Sequence, residues 1–290
     1  MGDSADKMDG KIVLVTGATN GIGQITAREL ALRGATVIIV GRDTSRIQFA
    51  AEKIRSTAPS GKVHTLMADL SSQAQIRRLA EEFQTQFPRL DVLVNNAGAI
   101  FARRQVSVDG IEMTLALNHL APFLLTNLLL DALKASDHAR VVTVASAAHI
   151  GMRVPFNDLN HEQGCYRSFV VYGQTKLMNI MFSYELARRL AGDAITVNAL
   201  HPGFVATNFG KSNGGWWNMM FTLAQPFAIS PEQGAQTSVY LASAPEVAMV
   251  TGKYFARRKA VKSSSVSYDR EAQRRLWIAS AKLTDYSANG

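Results

Sequence analysis

The chain has 290 residues, 47% of them hydrophobic and 19% charged, which is enough apolar material for a sizeable core and too much for a disordered chain. The net charge of +8 is carried by scattered cations, the one dense cluster being Lys253, Arg257, Arg258, Lys259 and Lys262. A basic stripe interleaved with aromatics is missing, so no nucleic-acid partner is expected. A lone cysteine, Cys165, the lack of an 18-residue uncharged apolar run and the polar start MGDSADKMDG lead to the expectation of a cytoplasmic protein with no disulfide, transmembrane anchor or secretory signal.

Residues 11–16 form a short β-branched run that enters a glycine turn, and a helical stretch follows to Arg33. Next come a strand over 36–40, a helix over 44–57, a strand over 63–67 and a helix over about 71–87. Strands over 91–94 and 140–144 flank a long helical segment, and later strands over 195–200 and 252–255 extend the set. Strand–helix alternation with near-continuous apolar strands predicts an α/β fold, a doubly wound parallel sheet of about seven strands with helices on both faces. No linker or repeat divides residues 1–290, so one domain is expected, with a polar tail over 1–10 and a C-terminal extension over 257–290.

Gly17, Thr19, Asn20, Gly21, Ile22 and Gly23 lie in the first strand–helix junction. Glycines there permit a tight turn, a close approach of backbone to phosphate, and close helix–sheet packing, while the helix N-terminus offers free N–H groups to a pyrophosphate. At the end of the second strand, Gly41 stands where a ribose 2′-hydroxyl would meet an acid, and Arg42 follows it. A guanidinium there suits a 2′-phosphate, with Arg46 as a helper, so NADP(H) is expected over NAD(H); an ordinary surface arginine beside Asp43 is the competing interpretation. Tyr172 and Lys176 are spaced i, i+4 and so share one helix face. A nearby ammonium favours phenolate and would lower the pKa of Tyr172 toward a role in proton transfer, but on spacing alone an ordinary surface tyrosine and lysine is the stronger interpretation. His119, His149, His161 and His201 have no metal-ligand spacing, and no metal is expected.

Together with Asp69-Leu70, Asn95-Asn96-Ala97-Gly98, Asn118, Ser146 and Pro202-Gly203 followed by Val205 and Thr207, these residues resemble the classical short-chain dehydrogenases/reductases over nearly the whole chain. The resemblance implies a single-domain Rossmann fold and hydride transfer between a nicotinamide and a carbonyl carbon. It assigns Tyr172 as acid/base, Ser146 to the substrate oxygen, Lys176 to the nicotinamide ribose, and Asn118 to a water chain toward Lys176. Asp69 falls near the adenine, Asn95 to Gly98 under the adenosine ribose, and Thr207 at the carboxamide. Ser146 and Tyr172 are 26 residues apart, about twice the usual separation, and the added segment resembles the retinol dehydrogenase and WW-domain oxidoreductase branch. So do Asn118-His119-Leu120, Arg140-Val-Val and the stretch from Gly252 to Trp277. That branch implies an apolar aldehyde, ketone or alcohol as substrate.

Residues 204–230 hold Phe204, Phe209, Trp216, Trp217, Met219, Met220, Phe221 and Phe227 with Gly214 and Gly215, the composition of an apolar substrate lid. Ordinary core or a segment dipping into a lipid surface are the alternatives. The helices after Asn118 and after Tyr172 are apolar around most of their circumference, and in this family such helices commonly meet a second subunit, so a homodimer or homotetramer is expected. A non-catalytic NADP-binding sensor on the same fold is the alternative function; it would have no need of Tyr172, Lys176, Ser146 and Asn118 together.

Overall fold

The computed structural model describes residues 7–58, 62–205 and 229–287. Its strands are β1 (Ile12–Thr16), β2 (Thr36–Gly41), β3 (Lys62–Met67), β4 (Val92–Asn95), β5 (Ala139–Val144), β6 (Ile195–His201), β7 (Lys253–Ala256) and β8 (Lys259–Val261). They form one sheet in the order β3-β2-β1-β4-β5-β6-β7-β8. The first seven are parallel, and β8 returns antiparallel to β7 as the eighth. The expected strands and the doubly wound architecture are present. β8 was invisible because it is only three residues long and its turn, Arg257-Arg258, carries positive φ angles of 49° and 62° without the glycine or asparagine that marks such hairpins.

Helices α1 (Gly21–Leu32), α2 (Thr44–Thr57) and α8 (Pro231–Ser243) cover one face, and α3 (Gln73–Gln86), α5 (Ala121–Leu128) and α7 (Ser168–Arg189) the other; the turns α4 (Met113–Leu115) and α6 (Leu130–Lys134) flank α5. Strand alternation divides the core accordingly, Val13 and Val15 pointing to the first layer and Leu14 to the second. Met8, expected in a polar tail, is only 4% exposed and joins the first layer, so the tail is part of the fold from that residue on.

The chain ends in α9 (Arg270–Leu283), which lies on α7. Trp277 of α9 packs edge-on against Phe123 at 5.0 Å and stacks with Phe182 at 5.9 Å, with the Arg189 guanidinium 4.1 Å above its ring. The apolar circumference of α5 and α7, which suggested a subunit contact, is thus occupied within the chain: every residue of α7 from Thr175 to Leu186 is buried. Trp277→Ala is expected to lower folding stability by about 3–5 kcal/mol, the cost of emptying a large aromatic site, read as a shifted denaturant midpoint at unchanged slope.

Candidate active site

The carboxyl ends of the parallel strands gather the predicted residues on one side of the sheet. Gly17 has φ +65°, and a Cβ there would meet the Ala97 Cα at 2.8 Å. A Cβ on Gly23 would collide with Asn96 Nδ2 and the Gly17 oxygen. Asn96 Nδ2 donates to the Thr16 and Gly17 carbonyls, while Thr16 Oγ1 accepts from the Asn96 and Ala97 N–H groups. The Asn96 side chain therefore braces the turn, and Thr16, which the sequence motif passed over, is the residue that locks β1 to the end of β4. Helices α2, α3, α8 and α9 each begin with a side-chain cap, from Asp43, Ser72, Ser230 and Asp269. Helix α1 has Asn20 at that position with no side-chain cap bond, leaving its first N–H groups facing the turn. The uncapped terminus and the glycines that open the turn fit a dinucleotide pyrophosphate.

Beyond β2, Arg42 is 71% exposed and its Nη1 lies 4.0 Å from Asp69 Oδ2. Asp69 Oδ1 accepts from the backbone and hydroxyl of Ser71, and Asp43 accepts from the Arg46 N–H as the cap of α2. A Cβ on Gly41 would meet Thr19 Cγ2 at 2.5 Å, so Thr19 fills the space an acid would need. Leu70 is a core residue packed with Leu66 and Ile76, so its backbone alone faces the site. Asn95 also turns inward, donating to Thr126 Oγ1. Gly203 has φ +94° beside Ile229, and a Cβ on Gly234 would meet the side chains of Val205 and Ile22. Val205 and Ile229 pair as a bridge, so these two described positions lie side by side. Residues 206–228, including Thr207 and most of the expected lid, lie outside the described residues.

Asn118 sits in a π-helical turn, Ala116–Leu120, between α4 and α5. Its side chain is fully engaged: Oδ1 accepts from the Ala99 N–H at 2.8 Å, and Nδ2 donates to the Ala99 carbonyl and to Thr175 Oγ1. This grip presses the end of β4 onto α7, where a Cβ on Gly98 would lie 3.2 Å from Asn118 Oδ1 and 3.3 Å from Lys176 Nζ. Lys176, 3% exposed, donates from Nζ to the Val144 carbonyl and lies 5.6 Å from the centroid of the Tyr172 ring. The Tyr172 hydroxyl hydrogen-bonds the Ser146 side chain. Asn118, Ser146, Tyr172 and Lys176 are thus brought to one place. The expected acidification of Tyr172 is absent: burial pushes its phenol up to about 12, with only Ser146 pulling the other way. The reason is that burial works against the Lys176 ammonium too, lowering it to about 8.

The long Ser146–Tyr172 segment is fixed by a buried carboxylate that sequence inspection missed. Glu112, fully buried, caps α4 by accepting from the Thr114 and Leu115 N–H groups, and it also accepts the Tyr166 hydroxyl at 2.9 Å. Asn160 accepts the Glu112 N–H, and Arg104 donates to the Asn160 carbonyl. Ile150 and Phe169, four and three residues from Ser146 and Tyr172 in sequence, stay 66% and 54% exposed, and Phe204, next to Gly203, stays 46% exposed. Arg140, by contrast, donates to the Leu241 and Ala244 carbonyls and so fastens the end of α8. Among the described residues, no group of three His, Cys, Asp or Glu could hold a metal, and no helix is long and apolar enough to cross a membrane.

Removing the Lys176 charge should stabilise the protein while disabling the site. A lysine lowered from 10.5 to about 8 on folding binds fewer protons folded than unfolded between those values, so its contribution worsens as pH falls through that window and is constant below it. Lys176→Met is therefore expected to be more stable than the parent at pH 7, with the gap closing as pH rises from 8 toward 10, measured by denaturant unfolding at each pH.

The sequence model for short chain dehydrogenases matches residues 11–216. Retinol dehydrogenase 13 from Homo sapiens is 43% identical over 284 residues, covering 96% of this chain and 86% of that protein. Retinol dehydrogenase 14 from Mus musculus is 42% identical over 93% of this chain and 84% of its own length. Among solved structures, an uncharacterized protein from Mycobacterium paratuberculosis superposes with a TM-score of 0.79 at 34% identity, covering 97% of both chains. The RhlG/NADP active-site complex from Pseudomonas aeruginosa superposes with a TM-score of 0.70 at 30% identity, covering 87% of this chain and 96% of that one. The chain is an oxidoreductase of the short-chain dehydrogenase family and belongs to its retinol dehydrogenase branch.

Proposed function

We propose that the protein is an NADP(H)-dependent oxidoreductase that interconverts an apolar aldehyde or ketone with its alcohol, with Tyr172 as the proton donor and acceptor. The observation that carries this is the buried group in which the Tyr172 hydroxyl meets Ser146 while Lys176 and Asn118 close in from α7 and the π turn. The bound nicotinamide supplies or receives the hydride. In the reductive direction Tyr172, kept protonated by burial, delivers its proton to the oxygen that gains charge as the carbonyl is reduced, and Ser146 Oγ orients that oxygen. Lys176 then holds positive charge beside the new phenolate and favours it until the proton is replaced. Asn118 keeps Gly98 and Ala99 seated against Lys176, so the ammonium has one position.

NADP(H) is supported by the geometry after β2. Asp43 is spent as a helix cap, Thr19 excludes a side chain at Gly41, and Arg42 is left with an exposed guanidinium suited to a 2′-phosphate. The likeness to an NADP complex at 30% identity agrees with this choice. The apolar substrate class is supported by the exposed Ile150, Phe169 and Phe204, by the aromatic residues of 206–228, and by relatives named as retinol dehydrogenases.

Absorbance loss of NADPH, and separately NADH, with retinal and with medium-chain and aromatic aldehydes tests the proposal. Turnover is expected with NADPH, and Tyr172→Phe should lower kcat by about 10²–10⁴-fold, the range typical of a general acid. Arg42→Ala should raise KM for NADPH by about 10–100-fold, the worth of charge-assisted bonds to phosphate, while leaving that for NADH unchanged. A parent enzyme that prefers NADH, or a fully active Tyr172→Phe, would overturn the corresponding half.

A further inference from the structure

The turn that carries Asn118 leaves an unusual main-chain acceptor. In a regular helix the Asn118 carbonyl would accept from the N–H four residues on, but that residue is Pro122, which has none. The oxygen is instead taken by Asn179 of α7, whose Nδ2 donates to it at 2.8 Å. With Nδ2 so committed, Asn179 Oδ1 faces Nδ1 of His119 at 3.3 Å and must accept from it. The proton is then on Nδ1, and His119 Nε2 accepts from Ser280 Oγ of α9 at 2.8 Å. The path can therefore be followed with a definite donor and acceptor at each bond. Asn118, His119, Asn179 and Ser280 are each 2% exposed or less, and burial lowers His119 to about 4, so the ring stays neutral at working pH.

We infer that Asn179, His119 and Ser280 are positioning residues for the reaction, joining the C-terminal helix to Asn118 and through it to Lys176; the inference rests on the roles proposed above for Tyr172, Lys176 and Asn118. The mechanical route is short. The Asn118 peptide is held on one side by Asn179 through its carbonyl and on the other by Ala99 through its side chain. If the first grip loosens, the peptide rotates, the second grip drifts, and the Gly98–Ala99 backbone beside Lys176 shifts with it. None of the three residues reaches the site itself. Asn179 nevertheless stands seven residues after Tyr172 and three after Lys176, on the same stripe of α7. A polar residue there, next to two catalytic positions and fully buried, is placed to align them.

Ser280→Ala is the gentlest probe because it deletes one hydroxyl from the far end of the path. Asn179→Ala removes the central member. Ser183→Ala is the control: Ser183 lies on the same helix, fully buried, and donates back to the Asn179 carbonyl without joining the path. With the full-length enzyme, NADPH and the best aldehyde of the panel, kcat is expected to fall about fivefold in Ser280→Ala and about 100-fold in Asn179→Ala, as angstrom-scale misplacement of reacting groups allows. The KM for aldehyde and the Kd for NADPH should hold, and the solvent deuterium isotope effect on kcat should rise. Ser183→Ala should match the parent. Unchanged kcat in Asn179→Ala, an equal loss in Ser183→Ala, or losses that appear in KM and NADPH affinity together would overturn the inference. Tyr172→Phe separates the two proposals. If it is inactive while Asn179→Ala is normal, the positioning path alone fails; if it is active, the underlying mechanism fails.

Discussion

A buried ammonium is costly to hold, and the site is arranged around the one at Lys176. Burial works against its charge, and among the described residues its hydrogen-bond partner is the Val144 carbonyl at the end of β5. Everything near it limits where that charge can go. A Cβ on Gly98 would lie 3.3 Å from Lys176 Nζ, Asn118 holds Gly98's neighbour, and Tyr172 lies one helical turn away. The same environment raises the phenol of Tyr172. Two groups disfavoured in their charged forms sit side by side, poised for a moment when charge appears between them. That arrangement sacrifices stability for function.

The C-terminal segment extends this logic beyond the proposed catalytic residues. α9 seals the apolar side of α5 and α7 with Trp277, and it also supplies Ser280 to His119. Slightly earlier, the Ser264 N–H reaches His149 Nε2, whose Nδ1 meets the Ser146 carbonyl at 2.7 Å. The two histidines closest in sequence to Asn118 and Ser146 are thus each tied to residues more than a hundred positions later. A C-terminal segment that first looks like packing material doubles as a strut, through α9 to His119 and through Ser264 to His149.

Much of this could be read in advance, and the misses have physical causes. Parallel strands buried on both faces announce themselves as apolar runs, and glycines at the first strand–helix junction carry their reason with them, as the contacts of Gly17 and Gly23 show. Tyr172 and Lys176 stood out only in company with the other motifs, and the direction of the Tyr172 shift was hidden even then, because spacing reveals proximity and not desolvation. The destination of the apolar faces of α5 and α7 was also illegible: hydrophobicity says that a helix is covered, not by which chain. Glu112 looked like any surface acid, since nothing local shows that Tyr166, 54 residues on, will fold back onto it. The bracing of the glycine turn by Asn96 was hidden as well, because a side chain that braces a loop and one that touches a ligand look alike in a motif.

The contact between Thr19 and the empty side of Gly41 bears on how the pocket can change over evolution. Thr19 is β-branched and stiff about its first torsion, and a carbon added at residue 41 would press on its methyl group at 2.5 Å. A substitution at residue 41 alone is therefore resisted before its charge can act. A smaller residue at position 19 has to come first, with no benefit of its own. The order of steps is constrained, a case of epistasis written in van der Waals radii. The proposed cofactor preference would then be held in place by sequence history as much as by the attraction between Arg42 and a phosphate.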